Sequence, residues 1–326
     1  MHTLLTRRAF GAVLLVPALG AQAQAVRGKH YTLTVPYPAG GPADALARII
    51  NGPLGRELGD TAIVDNIGGA SGAVAAQKIL SQPADGQLLL QASPNEVILA
   101  PAVNPAVKLR ANDFRLLHPL VNGVLVLIAR TDLPANNADE LVALAKRRAD
   151  KPLAYGSVGI GSLNHLIMEQ VQRETATRFL HIPYKGNAPL LQDLGGGQID
   201  VAVAVYSAAL GALAEKGNLK LLGQFPQRRS TLLPSVASVS EGAALRRISF
   251  TTWSGLMVPK ETPDATARHF NQAIAQVMQQ PKVHDSLAAQ SLEAAAPMSL
   301  EGAGAFYQSE IESYRAMLAS INLKMQ

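Results

Sequence analysis

Short apolar runs of strand length alternate with longer runs of helical period from Tyr31 onward, and this alternation constrains the fold more than any other feature. Residues 31–37 read as a strand. Pro42–Leu58 follows as a helix, with Leu46, Ile49, Ile50, Leu54 and Leu58 at helical spacing. Residues 62–66, 87–91 and 124–129 read as further strands, with one helix opened by residues 68–72 and another over 138–149. The unit then repeats, with strands over 153–155, 179–184, 199–205 and 219–224 between helices over 162–173, 188–194 and 208–216. A strand over 250–258 precedes three closing helices. The last of them carries Leu300, Tyr307, Ile311, Tyr314, Leu318 and Ile321 as one apolar stripe. Such a chain forms parallel sheets covered by helices, the α/β class, and these sheets take ligands in the crevice beyond the carboxyl ends of their strands. With 326 residues there is room for two domains of ordinary size, about 150 residues each.

The first 25 residues read as an export signal. Arg7 and Arg8 precede an apolar stretch too short to span a bilayer, and small residues with an A-x-A pattern follow. The pair of arginines resembles the twin-arginine signal, with the general secretory route as the alternative. The expected location is a bacterial periplasm, and a chain without cysteine suits that oxidising space. The formal charge is +5, two of it from Arg7 and Arg8, so the remainder carries +3. That is no nucleic-acid footprint. The absence of cysteine excludes a thiol nucleophile and thiolate-held metal.

The informative residues lie in the strand-to-helix turns. The first is Tyr37-Pro38-Ala39-Gly40-Gly41-Pro42-Ala43-Asp44, where Pro42 suits a first helical position and the glycines expose backbone N–H groups. A helix start of this kind is an anion site. Asp44 could cap those amides or reach across a cleft. The second turn runs from Tyr155 through Ser157, Gly161 and Ser162 to His165, adding two hydroxyls. Its G-x-x-G-x-G pattern lacks the acid that would hold a ribose after the next strand, so a dinucleotide is not expected. His165 and Glu169 lie four apart, but no third metal ligand is near. The third turn carries Tyr184, Lys185 and Asn187, the last a natural N-cap. Ser93 and Tyr206 follow two other strands. There is no G-x-S-x-G elbow and no Walker loop, so no cofactor, metal or catalytic engine is expected.

In order along the chain, these turns resemble the solute-binding receptors of tripartite tricarboxylate transporters, the Bug receptors. The resemblance is carried by residues 37–44, by Ala84-Asp85-Gly86-Gln87-Leu88-Leu89, by residues 155–165, by residues 183–189 with Gly197-Gln198 and Asp200, and by Trp253-Ser254-Gly255-Leu256 with Pro259 and Thr262-Pro263. It departs at Ile67, where the family usually has arginine, and at Tyr206, which could fill part of the cleft. The resemblance implies a two-lobed periplasmic binding fold of type II kind, each lobe a mostly parallel sheet flanked by helices. Residues 26–124 and 250–326 would form one lobe and 125–249 the other, with residues 124–129 and 251–258 as crossing strands.

It further implies a monomeric receptor, not an enzyme, that closes by a hinge on a small organic acid and hands it to integral-membrane transporter subunits. The site would use Tyr37, Ala39, Gly40, Gly41, Asp44 and Ser93 from one lobe. Ser157, Gly161, Ser162, His165, Tyr184, Lys185, Asn187 and Tyr206 would come from the other. An ABC-type binding protein or a sensory receptor would share this architecture. A periplasmic enzyme using Asp44 or His165 as a base is the remaining alternative.

Overall fold

The computed structural model describes residues 30–321, so the export-signal reading lies outside the described residues. In the first lobe, β1 (Tyr31–Val35) leads to α1 (Pro42–Leu58), β2 (Ala62–Asn66), α2 (Ala73–Leu80) and β3 (Leu88–Ala92). A π-helical turn (Asn95–Leu99) runs into α3 (Ala100–Val103), and β4 (Phe114–Gly123) completes the first pass. The second lobe holds β5 (Leu125–Arg130), α4 (Ala138–Arg147), β6 (Leu153–Ser157), α5 (Leu163–Thr175) and β7 (Phe179–Pro183). It continues with α6 (Asn187–Gly195), β8 (Val201–Val205), α7 (Ala208–Glu215) and β9 (Leu219–Gln224). The chain returns to the first lobe with β10 (Thr252–Pro259), α8 (Asp264–Met278), α9 (Pro281–Ala289), β11 (Glu293–Ala294) and α10 (Leu300–Ile321).

The first sheet has the order β11-β4-β10-β3-β1-β2 and the second β7-β6-β8-β5-β9. The α/β, two-lobed expectation holds, but the sheets are mixed. Strands β1, β2 and β3 run parallel, whereas β10 is antiparallel to β3 and β4. Likewise β6 is parallel to β7 and β8, while β5 is antiparallel to β8 and β9. In each sheet the strand that enters from the other lobe, β10 or β5, runs against its neighbours, and the short β11 is antiparallel to β4 as well. A strand arriving from the other lobe enters at the cleft end, against the direction of strands that leave toward it.

The two expected crossing strands lie one in each sheet, each directly after a crossing: β5 in the second and β10 in the first. The crossings are Val124, between β4 and β5, and the return segment 225–251. That segment is pinned by Gln224, whose Nε2 donates to Leu233 and Val236 carbonyls at 2.8 and 2.6 Å. The ten-residue strand β4 was not anticipated at all. It carries Pro119 inside, at the position where its register against β10 shifts beside Gly255, the kind of irregularity at which a strand tolerates proline.

One apolar cluster holds Leu33, Val35, Leu46, Ile50 and Leu54, where α1 and α8 cover the first sheet. Each fully buried side chain of this kind contributes roughly 1.5–3 kcal/mol. The largest cluster is shared, joining Leu90 and Leu116 of the first lobe to Leu127 and Val203 of the second. Helix α10 belongs to it through Tyr307, Ile311 and Tyr314. In the second lobe, Asp200 accepts from Arg130 Nε at 2.9 Å and from the Ala154 N–H at 2.7 Å. The aspartate that follows the Gly-Gly-Gln run therefore ties strands together and is no part of the cleft.

Candidate functional site

Between the lobes lies a cavity of about 110 Å³. A water needs on the order of 10–15 Å³ on such a measure, so the gap suits a solute of several heavy atoms. The first lobe contributes Tyr37, Pro38, Gly41 and Ala43 from the turn into α1, with Gln91, Ser93, Asn95 and Glu96 beyond β3. The second contributes Leu163 and Asn164 from the start of α5 and Gly186, Asn187 and Ala188 from the start of α6. The floor is Gly123 and Trp253, next to the crossings.

Two helices open onto this cavity without a side-chain cap. The 17-residue helix α1 starts after Gly41, and the nine-residue helix α6 starts after Gly186. The first amides of a helix have no partner within it, and the axial dipole adds partial positive charge there. Pro38 explains the glycine at 186, since a Cβ there would sit 3.1 Å from its ring. Asn187, expected as the N-cap, is instead the first helical residue, and its Oδ1 is buried without a partner. Rotating its amide plane presents Nδ2 to the cavity in place of the oxygen, so this residue can add a side-chain donor to the α6 amides.

Helix α5 differs. Ser162 caps it by accepting from the His165 N–H, and the Gly161 N–H donates to His165 Nδ1 at 3.1 Å. The Leu163 N–H donates at 2.7 Å to Asn95 Oδ1 from the opposite lobe. With those donors spent, the second turn meets the first lobe directly. Ser71 donates to the Ile160 carbonyl at 2.7 Å. A Cβ on Gly159 would lie 2.5 Å from Ser71 Oγ, and one on Gly161 would lie 2.0 Å from Val103. The lobes are in a closed arrangement.

Of the residues expected at the site, Tyr37, Gly41, Ser93 and Asn187 line the cavity. Ala39 and Gly40 are exposed beside it. Asp44 does not cross the cleft. It accepts from the Gly40 N–H and from Arg48 Nε, each at 3.0 Å. Burial acts to raise its pKa, but these bonds prevail and hold it below the usual range. Ser157 is fully buried, donating to the Gly159 carbonyl and bonded to His181 Nε2 at 2.7 Å. Ser162 donates to the same carbonyl. Tyr184 turns outward to donate to Asp193 at 2.7 Å, and Lys185 is exposed. Tyr206 packs its hydroxyl over Gly211 on α7 instead of filling the cleft. Sequence reasoning missed Gln91, Asn95, Glu96 and Asn164.

Behind the second turn, His165 and His181 stack with centroids 4.2 Å apart, and His181 stacks on Tyr155. Burial pushes both imidazoles down to about 4, and His165 adds to the depression of His181. In the unfolded chain they bind protons near pH 6.5. Their contribution is therefore complete above about pH 6.5 and is lost as pH falls toward 4. Glu96, raised in the fold, shifts stability in the opposite sense over its own window. A His165→Gln variant isolates the imidazole part. Urea titrations at pH 7 and pH 4.5 should show the parent losing on the order of 1–2 kcal/mol more than the variant. Equal losses would mean that the ring is not held neutral.

Known proteins agree with this architecture. The model of the tripartite tricarboxylate transporter family receptor matches residues 46–323. A UPF0065 protein of Bordetella pertussis is 32% identical over 270 residues, 82% of each chain. Protein BugT of the same organism is 28% identical over 298 residues, 90% of each. The structure of the periplasmic binding protein BugD superposes with a TM-score of 0.83 at 25% identity, covering 91% of this chain and 99% of that one. Malate-bound MatC from Rhodopseudomonas palustris has the same fold, with a TM-score of 0.82 at 24% identity, covering 89% and 98%.

Proposed function

The chain belongs to the tripartite tricarboxylate transporter family of receptors, and from that membership we propose that it captures a small carboxylate in the periplasm by lobe closure. The observation that carries this reading is the pair of uncapped helix starts, α1 and α6, that open on one cavity from opposite lobes. A carboxylate between them takes N–H donors from both sides, which is possible only when the lobes are together. Binding energy that exists only in the closed form is what shifts an open–closed equilibrium.

The loaded receptor, working as a single chain, then presents the closed lobes to integral-membrane transporter subunits. Ligand specificity rests on the polar side chains around the helix starts, and the apolar floor excludes water. Asp44 and His165, the bases of the enzymatic alternative, are engaged in bonds away from the cavity wall.

The test is a thermal-shift screen of about a hundred organic acids and amides on the mature chain. A true ligand at 100 times its dissociation constant should stabilise by about 2.7 kcal/mol. Small-angle scattering should show compaction with the same compound, and the compound should be recovered chemically unchanged. A panel without hits, or a ligand that binds with no compaction, overturns the reading.

A further inference from the structure

The cavity wall carries a buried acid that a plain anion receptor does not need. Glu96 is fully buried at the first turn of the π-helical segment, in a lining that holds no lysine, arginine or histidine among the described residues. Its Oε2 accepts from the Ser93 N–H at 2.5 Å and from the Ser93 hydroxyl at 2.9 Å. Its Oε1 is buried and, among the described residues, meets no donor at hydrogen-bonding geometry, although the Tyr37 hydroxyl lies beside the carboxylate. Gln91 presents the same situation. Its Nε2 donates to the Ala43 carbonyl at 2.9 Å, which fixes the orientation of the amide, and its Oε1 is buried without a partner. Both residues line the cavity. The bonds they already make leave an oxygen acceptor as the free atom in each case.

A buried acceptor left unmet is costly, by roughly 1–3 kcal/mol and more when charged, so such atoms are normally satisfied. Among the described residues no cation lines the cavity to meet Glu96. A group with N–H bonds is the kind of partner these acceptors lack. A second carboxylate on the ligand would instead face a like charge in a desolvated gap. We propose, building on the carboxylate-receptor reading, that the solute of this cleft carries an amide or ammonium group in addition to its carboxylate, and that Glu96 selects it. The α1 and α6 amides take the carboxylate, and Glu96 with Gln91 takes the nitrogen.

Burial pushes the Glu96 carboxyl up to about 7, against the opposing effect of the Tyr37 and Ser93 hydrogen bonds, so it is ionised above that value and the calorimetry is run at pH 8. Tyr307 from α10 is also close enough to feel its charge. Gly72 has no side chain because Glu96 occupies that space, a Cβ there falling 2.3 Å from its Cγ. The acid is therefore packed into place from three elements.

The experiment is calorimetry on the parent and Glu96→Gln with skeleton-matched pairs: succinate against succinamate, glutarate against glutaramate, adipate against adipamate. The parent should bind the amide of at least one pair tenfold or more tighter than the diacid. Glu96→Gln keeps the side-chain length and an oxygen for Ser93 but offers a donor where Oε1 stood. It should erase or invert that preference, with an unliganded melting temperature close to the parent's. The parent comparison stands even if the variant folds poorly. A parent that binds diacids as tightly as amides, or a preference that Glu96→Gln leaves unchanged, overturns the inference while the receptor reading survives. If no member of any pair binds, the inference falls, and the wider panel decides separately whether the receptor reading falls too.

Discussion

Asn187→Asp is expected to weaken carboxylate binding by about 30- to 1,000-fold without lowering the melting temperature of the unliganded protein. The side chain changes by one atom type and keeps its volume. At the start of α6 an aspartate is favourable, since a negative charge near a helix N-terminus stabilises by about 0.3–1 kcal/mol. The same charge stands on the cavity wall, where Asn187 Oδ1 is already buried. Two like charges about 4 Å apart repel by roughly 4 kcal/mol at an effective dielectric near 20. Partial screening brings the expected loss to about 2–4 kcal/mol. Titration calorimetry with the best ligand from the screen measures it directly. Unchanged affinity would place the carboxylate away from α6 and remove half of the proposed grip.

Gly161→Ala is expected to cost about 30- to 100-fold in affinity, chiefly by blocking closure. The residue sits at φ +76°, and an alanine in that region is strained by roughly 1–2 kcal/mol. That strain acts on the lobe itself and is seen in the unliganded melting temperature. The second effect acts only when the lobes meet. The new Cβ would fall 2.0 Å from Val103 Cγ2 on the opposite side of the gap. Ligand-dependent compaction in scattering should therefore shrink or vanish. Adding Val103→Ala removes the obstructing methyl groups and should recover about tenfold in affinity while leaving the backbone strain in place. If the double variant binds no better than Gly161→Ala, the contact with Val103 does not govern closure.

The parts of this molecule that could be read in the sequence are those in which one residue type has one local consequence. Gly41-Pro42 announces the start of α1 because proline is tolerated at that position and glycine leaves the amides clear. The stripe on α10 is legible because its spacing repeats. By contrast, β4 was missed because Pro119 interrupts it, and only the register shift against β10 explains how it is tolerated. The second turn shows the other limit. Ser157 and Ser162 carry hydroxyls that suit a ligand, yet both bond to the Gly159 carbonyl a few residues away. Composition shows that a donor exists and not where it is spent. Glu96 gave no signal at all, because its importance depends on a π-helical turn that directs an acid inward, and a lone glutamate beside apolar residues does not announce that turn.

Trp253 has an indole that donates to Glu310 at 2.8 Å on one side and forms the cavity floor on the other. It is the sole tryptophan in the chain. Any guest entering the gap therefore changes the solvation of a single emitter, free of background from other indoles. Unlabelled protein should report capture and release in real time through its own fluorescence, so that rates of loading can be followed in a stopped-flow cell before any transporter is added.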